Sequence, residues 1–258
     1  MNINTSLSAK LVAGFILAAS LSSCNLAEEL KAAQIAGEPL HATSTSVKDE
    51  VTSGSGRIVH LTFSGIEDNE NTDGQAQAST AAAIFFVNMK KTASFNAIEV
   101  TLEKTVAEDS KGVYSSSTST TSTYTFPGRE VKRACELYET VVKSFNRNMG
   151  NTEKLKALSD PTYLADSAIH ILQQTIAVIE SAHGKGITTR FRGFAKDTDS
   201  SGRPLMAIKC DNLNAKKEAI SYCRFFFFEH SNKVAGVRIR DYTSDLQTDK
   251  VRPVEEQK

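Results

Sequence analysis

The sequence predicts an α+β fold: antiparallel sheets with helices packed on one side, the C-terminal part being a long helix followed by a four-strand meander. Three observations predict it. Apolar residues recur at helical spacing over two long segments, 130–149 and 161–182. Elsewhere they alternate with polar residues at the two-residue period of a half-buried strand. Turn residues then separate the last four such runs at hairpin intervals.

Taken in order, residues 24–56 read as a flexible tether. A short helical patch at 26–36 gives way to Ala42-Thr43-Ser44-Thr45-Ser46 and Thr52-Ser53-Gly54-Ser55-Gly56. Small polar residues of this kind bury too little surface to offset chain entropy. An N-terminal α+β portion, 57–150, follows. In 57–64, Val59, Leu61 and Phe63 alternate with Ile58, His60 and Thr62, the pattern of a strand. Asp68, Asn69, Glu70, Asn71 and Asp73 gather oxygen ligands, but the spacing of a calcium-binding EF-hand is missing, so the segment reads as a solvated loop.

Residues 76–90 predict a helix with Ala78, Ala82, Phe85, Phe86 and Met89 on one side. In 96–104, Ile98, Val100 and Leu102 alternate with Glu99, Thr101 and Glu103, giving a strand with one wet face. Serine and threonine fill 115–123. Threonine suits a pleated strand, so the stretch reads as an exposed strand or hairpin arm, with a linker as the alternative. The helix at 130–149 carries the stripe Val131, Cys135, Tyr138, Val142, Phe145, Met149, which turns Cys135 inward as a small core residue. Asn148-Met149-Gly150-Asn151 ends it and sets the expected boundary near 150.

The C-terminal portion, 151–242, opens with a short helical turn and with Ser159-Asp160-Pro161 as a helix start. Ala165, Ile169, Leu172, Ile176 and Ile179 form that helix's buried stripe. Strands are expected at 187–196, 204–210, 220–229 and 233–242, with a polar tail over 243–258. In element order alone, the helix and its meander resemble a cystatin-like or nuclear-transport-factor-like arrangement.

Parity fixes which side chains can meet. If Cys210 faces Cys223 across a hairpin, then Ile208 opposes Phe225 and Met206 opposes Phe227, all six on one apolar face. The sequence therefore predicts a Cys210–Cys223 disulfide, with two buried free thiols as the rival reading. The chain-entropy estimate for so short a loop is ~3 kcal/mol. The same parity puts Arg190, Arg192 and Phe194 on the opposite face with Lys209, Arg224, Phe226 and Phe228. Arginine mixed with phenylalanine forms a candidate face for an anionic ligand; the plainer reading is packed rings with guanidinium heads reaching past them to water.

The first 23 residues carry an address. A polar start ends in Lys10, an apolar run follows from Leu11 to Ala19, and Leu21-Ser22-Ser23-Cys24 comes next. The run is shorter than the roughly 20 apolar residues a membrane span needs, and its flanks are those of a cleaved signal peptide. The four-residue ending resembles the lipobox of bacterial lipoproteins. That resemblance implies cleavage before Cys24, a diacylglycerol thioether on its sulfur, and attachment to the membrane through the N-terminal lipid. Asn25, in place of an aspartate that retains lipoproteins at the inner membrane, points to the outer membrane, facing the periplasm or the surface, if the source is Gram-negative. Two or more acyl chains, at ~0.8 kcal/mol per buried methylene, anchor a protein stably. Export also supplies the oxidising compartment in which a disulfide persists.

Lysine plus arginine balance aspartate plus glutamate at 30 each, which argues against nucleic acid as a partner. There is no Gly-x-Ser-x-Gly elbow, P-loop or dinucleotide fingerprint. The histidines His41, His60, His170, His183 and His230 lack zinc spacing. No catalytic residue, metal ligand or cofactor is assigned. The sequence favours a non-enzymatic envelope lipoprotein that binds a protein partner or a small ligand. An exported hydrolase assembled from distant residues and a structural or assembly factor are the alternatives.

Overall fold

Two four-stranded sheets organise the chain. The computed structural model describes residues 26–52, 56–67, 73–89, 95–107 and 117–241. Residues 1–25, where the signal segment and Cys24 are expected, the loop positions 68–72 and the tail at 243–258 lie outside the described residues. The chain divides into two compact units, Met1–Glu70 with Ile84–Gly128, and Asn71–Ala83 with Arg129–Lys258.

In the first unit, helix α1 (26–37) and a 3-10 turn (Glu38–Leu40) precede β1 (Ser44–Thr52) and β2 (Gly56–Glu67). Helix α2 (Gly74–Asn88) begins in the second unit and ends in the first, before β3 (Ala97–Ala107) and β4 (Ser117–Pro127). The order is β1-β2-β3-β4. Val59, Leu61 and Phe63 of β2 lie beside Ile98, Val100 and Leu102 of β3, and all six are fully buried. Each such side chain contributes roughly 1.5–3 kcal/mol of burial. Arg57 clips the edge of this core: its Nε donates to Asp49 at 2.8 and 2.9 Å, an Nη donates to Glu29 of α1, and the guanidinium lies 4.8 Å from the Phe95 ring centre. Burial pushes the Glu29 carboxyl above its usual range, although Arg57 opposes the shift.

The second unit runs α3 (Gly128–Leu137), a π-helical turn (Tyr138–Val142), α4 (Lys143–Arg147), α5 (Thr152–Leu158) and α6 (Asp166–His183). Then come β5 (Thr188–Thr198), β6 (Pro204–Leu213), β7 (Ala219–Phe228) and β8 (Gly236–Asp241), each antiparallel to the next. The π turn adds a residue to the helical period, so Val141 and Val142 are both buried. Tyr138 and Phe145 meet Phe191 and Phe225 of the sheet edge-on, at 5.1 and 5.5 Å between ring centres. Ile176 and Ile179 of α6 pack with Ile220.

Several expectations are corrected here. The class is an α+β mixture, but the first sheet is mixed rather than antiparallel, because β2 and β3 run parallel. A parallel pair needs a crossover, and α2 lies on that connection. Helices also do not keep to one side. The first turns of α2 dock on the edge strand β5, where Ser79 Oγ accepts the Phe194 N–H at 3.2 Å and Thr80 Oγ1 donates to the Arg192 carbonyl. Residues 24–56 are no tether where described: α1 buries Ala32, Ala33 and Ala36, and β1 pairs with β2 along its whole length. Along the sequence the compact units change over at Glu70/Asn71, Ala83/Ile84 and Gly128/Arg129, beside the single boundary expected near 150. Asp160 does not start the long helix; its carboxylate accepts the Thr162 N–H at 3.0 Å in a turn, and α6 begins at Asp166.

The expected Cys210–Cys223 bridge is not formed. The two are cross-strand partners, yet Cys135, Cys210 and Cys223 are all free, buried thiols. The Cys223 thiol donates across to Asn212 Oδ1 of β6 at 3.5 Å. Burial, with Cys223 alongside, drives the Cys210 thiol well above its usual range.

Candidate anion-binding face

A bulge in β5 decides which side chains share a face. Phe191 opposes Cys210 and Gly193 opposes Lys209, so Arg192 is the extra residue between them. Gly193 has φ +115°, a conformation glycine adopts freely. The bulge shifts parity: Arg190 opposes Asp211, whereas Phe194, beyond the bulge, opposes Ile208 and is buried in the core. The expected grouping of Phe194 with Arg190 and Arg192 is therefore corrected.

On the face that Arg190 occupies, the register aligns Arg190, Asp211, Tyr222 and Arg240 in one row across four strands. The next row holds Lys209, Arg224 and Arg238. Arg190, Arg192, Arg238 and Arg240 are exposed, Arg224 is half-buried, and the Asp211 side chain is only 2% exposed. Asp211 accepts from Arg190 Nη2 at 2.7 Å and lies 3.5 Å from Arg192 Nε. It anchors two guanidinium groups from below and leaves their outer edges to solvent. Lys209 is turned away, with Nζ 3.3 Å from Asp73 Oδ2 at the start of α2.

Among the described residues, the other three arginines have no such partner. Arg224 Nε donates to the Tyr222 hydroxyl at 2.7 Å, and its guanidinium sits 5.3 Å from that ring's centre. Burial pushes the Tyr222 phenol above its usual range, against the pull of Arg224, so the hydroxyl stays neutral. Among the described residues, no carboxylate pairs with Arg224, Arg238 or Arg240. Arg224 and Arg238 are direct cross-strand neighbours, and like charges so placed destabilise a sheet. Among the described residues, five arginines thus share this face with one carboxylate, which only Arg190 and Arg192 approach. Strands stand about 4.8 Å apart, so the row from β5 to β8 spans roughly 14 Å. Guanidinium groups bind phosphate and carboxylate through paired N–H donors, and this array can hold an anion bearing more than one such group.

Phe226 and Phe228 share the face but sit farther along it, opposite Ala207 and Leu205. Phe228 belongs to a separate clip. Its ring lies 4.6 Å from that of Tyr163, and Arg203, ion-paired with Asp199, stacks over both rings. Sequence reasoning missed Arg238, Arg240 and Tyr222. The Arg-x-Arg spacing of 238 and 240, repeated at 190 and 192, was the available signal, because period two puts such pairs on one face.

Other chemistry is occupied elsewhere. Burial, reinforced by Glu139 and Glu136, pushes the Cys135 thiol up to about 12, far from a nucleophile's range. Both ring nitrogens of His60 face carboxylates, Glu99 at 2.9 Å and Glu50 at 3.2 Å, which ties three strands together. Among the described residues, no three His, Cys, Asp or Glu side chains group as a metal centre. A depression of about 300 Å³ at Lys156, Pro161 and Asp166 has its charges paired with each other, Lys156 Nζ to Asp166 at 2.7 Å. Among the described residues, no helix is long and apolar enough to cross a membrane. Comparison with protein-family models, curated proteins and solved structures finds no match for this chain.

Proposed function

We propose that this chain is a lipid-anchored protein of the cell envelope that performs no catalysis and holds a small polyanion on the arginine-rich face of its C-terminal sheet. The anchor rests on the lipobox-like Leu21-Ser22-Ser23-Cys24. The binding activity rests on one observation: Arg224, Arg238 and Arg240 are gathered on one sheet face without a carboxylate among the described residues, beside a buried Asp211 that already holds Arg190 and Arg192. Like charges crowded at a cost to stability are favourable once an anion sits among them.

Calorimetric titration with tripolyphosphate tests the reading. The wild-type chain binds it, raising the salt concentration weakens the binding, and the triple variant R224Q/R238Q/R240Q loses at least tenfold in affinity. Absence of binding by the wild-type chain, or equal affinity in the variant, removes the proposal. The anchor has its own test, the intact mass of the mature N-terminus. Acylated Cys24 as the first residue supports it, and a chain beginning upstream of Cys24 contradicts it.

A further inference from the structure

Strand β4 is an edge of the first sheet, and its chemistry is unusual for an edge. Residues 112–128 contain no charged side chain. Positions 119–123 are exposed at every residue, so both faces of the strand are wet there. Its register with β3 runs without interruption from Ala97↔Pro127 to Ala107↔Ser117, with no bulge. An edge strand carries a row of backbone N–H and C=O groups ready to pair, and natural edges are blunted by lysine, proline or bulges. Until Pro127, β4 has none of these. It is filled instead with serine and threonine, which suit a pleated strand.

The other edge of the same sheet differs. β1 presents Lys48, Asp49 and Glu50 in succession. A β1 strand arriving from another molecule would bring charges against β4, whereas a second β4 brings none. We propose that β4 pairs antiparallel with β4 of a second copy of this chain about a two-fold axis, joining two four-stranded sheets into one of eight. Because the same strand is used on both sides, the contact is self-complementary and closes as a dimer, and the charges on β1 oppose further addition. The hydroxyl contact already present across β3 and β4, Thr101 Oγ1 to Thr123 Oγ1 at 3.1 Å, is the kind of side-chain pair that such a seam repeats.

Sedimentation equilibrium of the full chain in density-matched detergent tests this. The wild type sediments with the mass of two chains. The triple variant S119K/T121K/T123K, altered only at exposed positions on one face, sediments as a single chain with an unchanged circular dichroism spectrum. If that variant misfolds, the single variants S119C, T121C and T123C supply the check: under a mild oxidant the one nearest the two-fold axis forms an intermolecular disulfide in the folded dimer, and the wild-type chain does not. A wild-type chain that is monomeric at every concentration overturns the proposal. So does a folded triple-lysine variant that remains dimeric, or the failure of all three cysteine variants to cross-link.

Discussion

Replacing Gly193 with alanine probes the bulge on which the arginine alignment depends. A Cβ at this position would lie 2.6 Å from Ser79 Oγ, 2.8 Å from Thr80 Oγ1 and 3.0 Å from the Thr80 backbone nitrogen. The hydroxyls cannot simply rotate away, because Ser79 Oγ accepts the Phe194 N–H and Thr80 Oγ1 lies 2.7 Å from the Ala76 carbonyl as well as against Arg192. The Thr80 nitrogen moves only if α2 moves. Holding alanine at φ +115° costs about 1–3 kcal/mol, and overpacking adds about 1–3 kcal/mol. The expected loss is therefore about 2–6 kcal/mol. Gly202 serves as the control: its φ is +76° and a Cβ there would meet nothing within 4 Å, so G202A carries only the backbone cost, roughly 1–2 kcal/mol. Urea denaturation of both variants, read at the midpoint with the slope checked for constancy, separates steric from backbone effects. A G193A midpoint no lower than that of G202A would refute the close approach of α2 to the bulge.

Asp73 caps α2 by accepting the Gln75 and Ala76 N–H groups at 3.0 and 3.3 Å while holding Lys209. D73A should cost about 1 kcal/mol for the cap and more for the stranded Lys209 ammonium, seen as a lower urea midpoint. Burial alone would raise the Asp73 carboxyl, but Lys209 and the two amides outweigh it and hold it below the usual range. Its contribution is thus full above the ordinary carboxylate range and is lost as pH falls through the depressed value; D73N should lack that acid-side loss. Glu29 has the opposite sign. Burial raises its carboxyl, so the folded state binds more protons and stability falls as pH rises from the ordinary carboxylate range through the raised value. A pH series of melting curves should show that fall in the wild type and not in E29Q. R224Q should leave the unliganded protein equally stable or a few tenths of a kcal/mol more stable, because it removes a cross-strand like-charge pair; a loss above about 1 kcal/mol would mean that Arg224 is chiefly structural.

Much of the strand pattern was legible because one buried face imposes a two-residue period. Val59, Leu61 and Phe63 announce β2, and the pairing of Met206, Ile208 and Cys210 with Phe227, Phe225 and Cys223 follows from parity. Strand direction is not written in that period. β2 and β3 show the same alternation whether they run parallel or antiparallel, so the mixed sheet was invisible. β1 escaped notice because an edge strand reading Ser-Thr-Ser-Val-Lys-Asp-Glu-Val-Thr has little apolar periodicity. The candidate face was half legible: Arg190, Arg192 and Arg224 were grouped from sequence, but a bulge resets parity, and Phe194 was assigned to the wrong side. Glycine inside a strand run was the warning at 193. The fate of the Cys210 and Cys223 thiols depends on which way each sulfur turns, which register alone does not determine.

Guanidinium groups on the C-terminal sheet that no described carboxylate neutralises are proposed to hold an anion. Nuclear magnetic resonance of arginine Nε–H groups during tripolyphosphate addition tests it most directly. The Arg224, Arg238 and Arg240 signals should shift together and saturate. Arg203, stacked on Tyr163 and paired with Asp199, and Arg133, bonded to the Phe228 and Ser231 carbonyls, should stay in place. Shifts spread equally over all arginines, or none at Arg238 and Arg240, would contradict it.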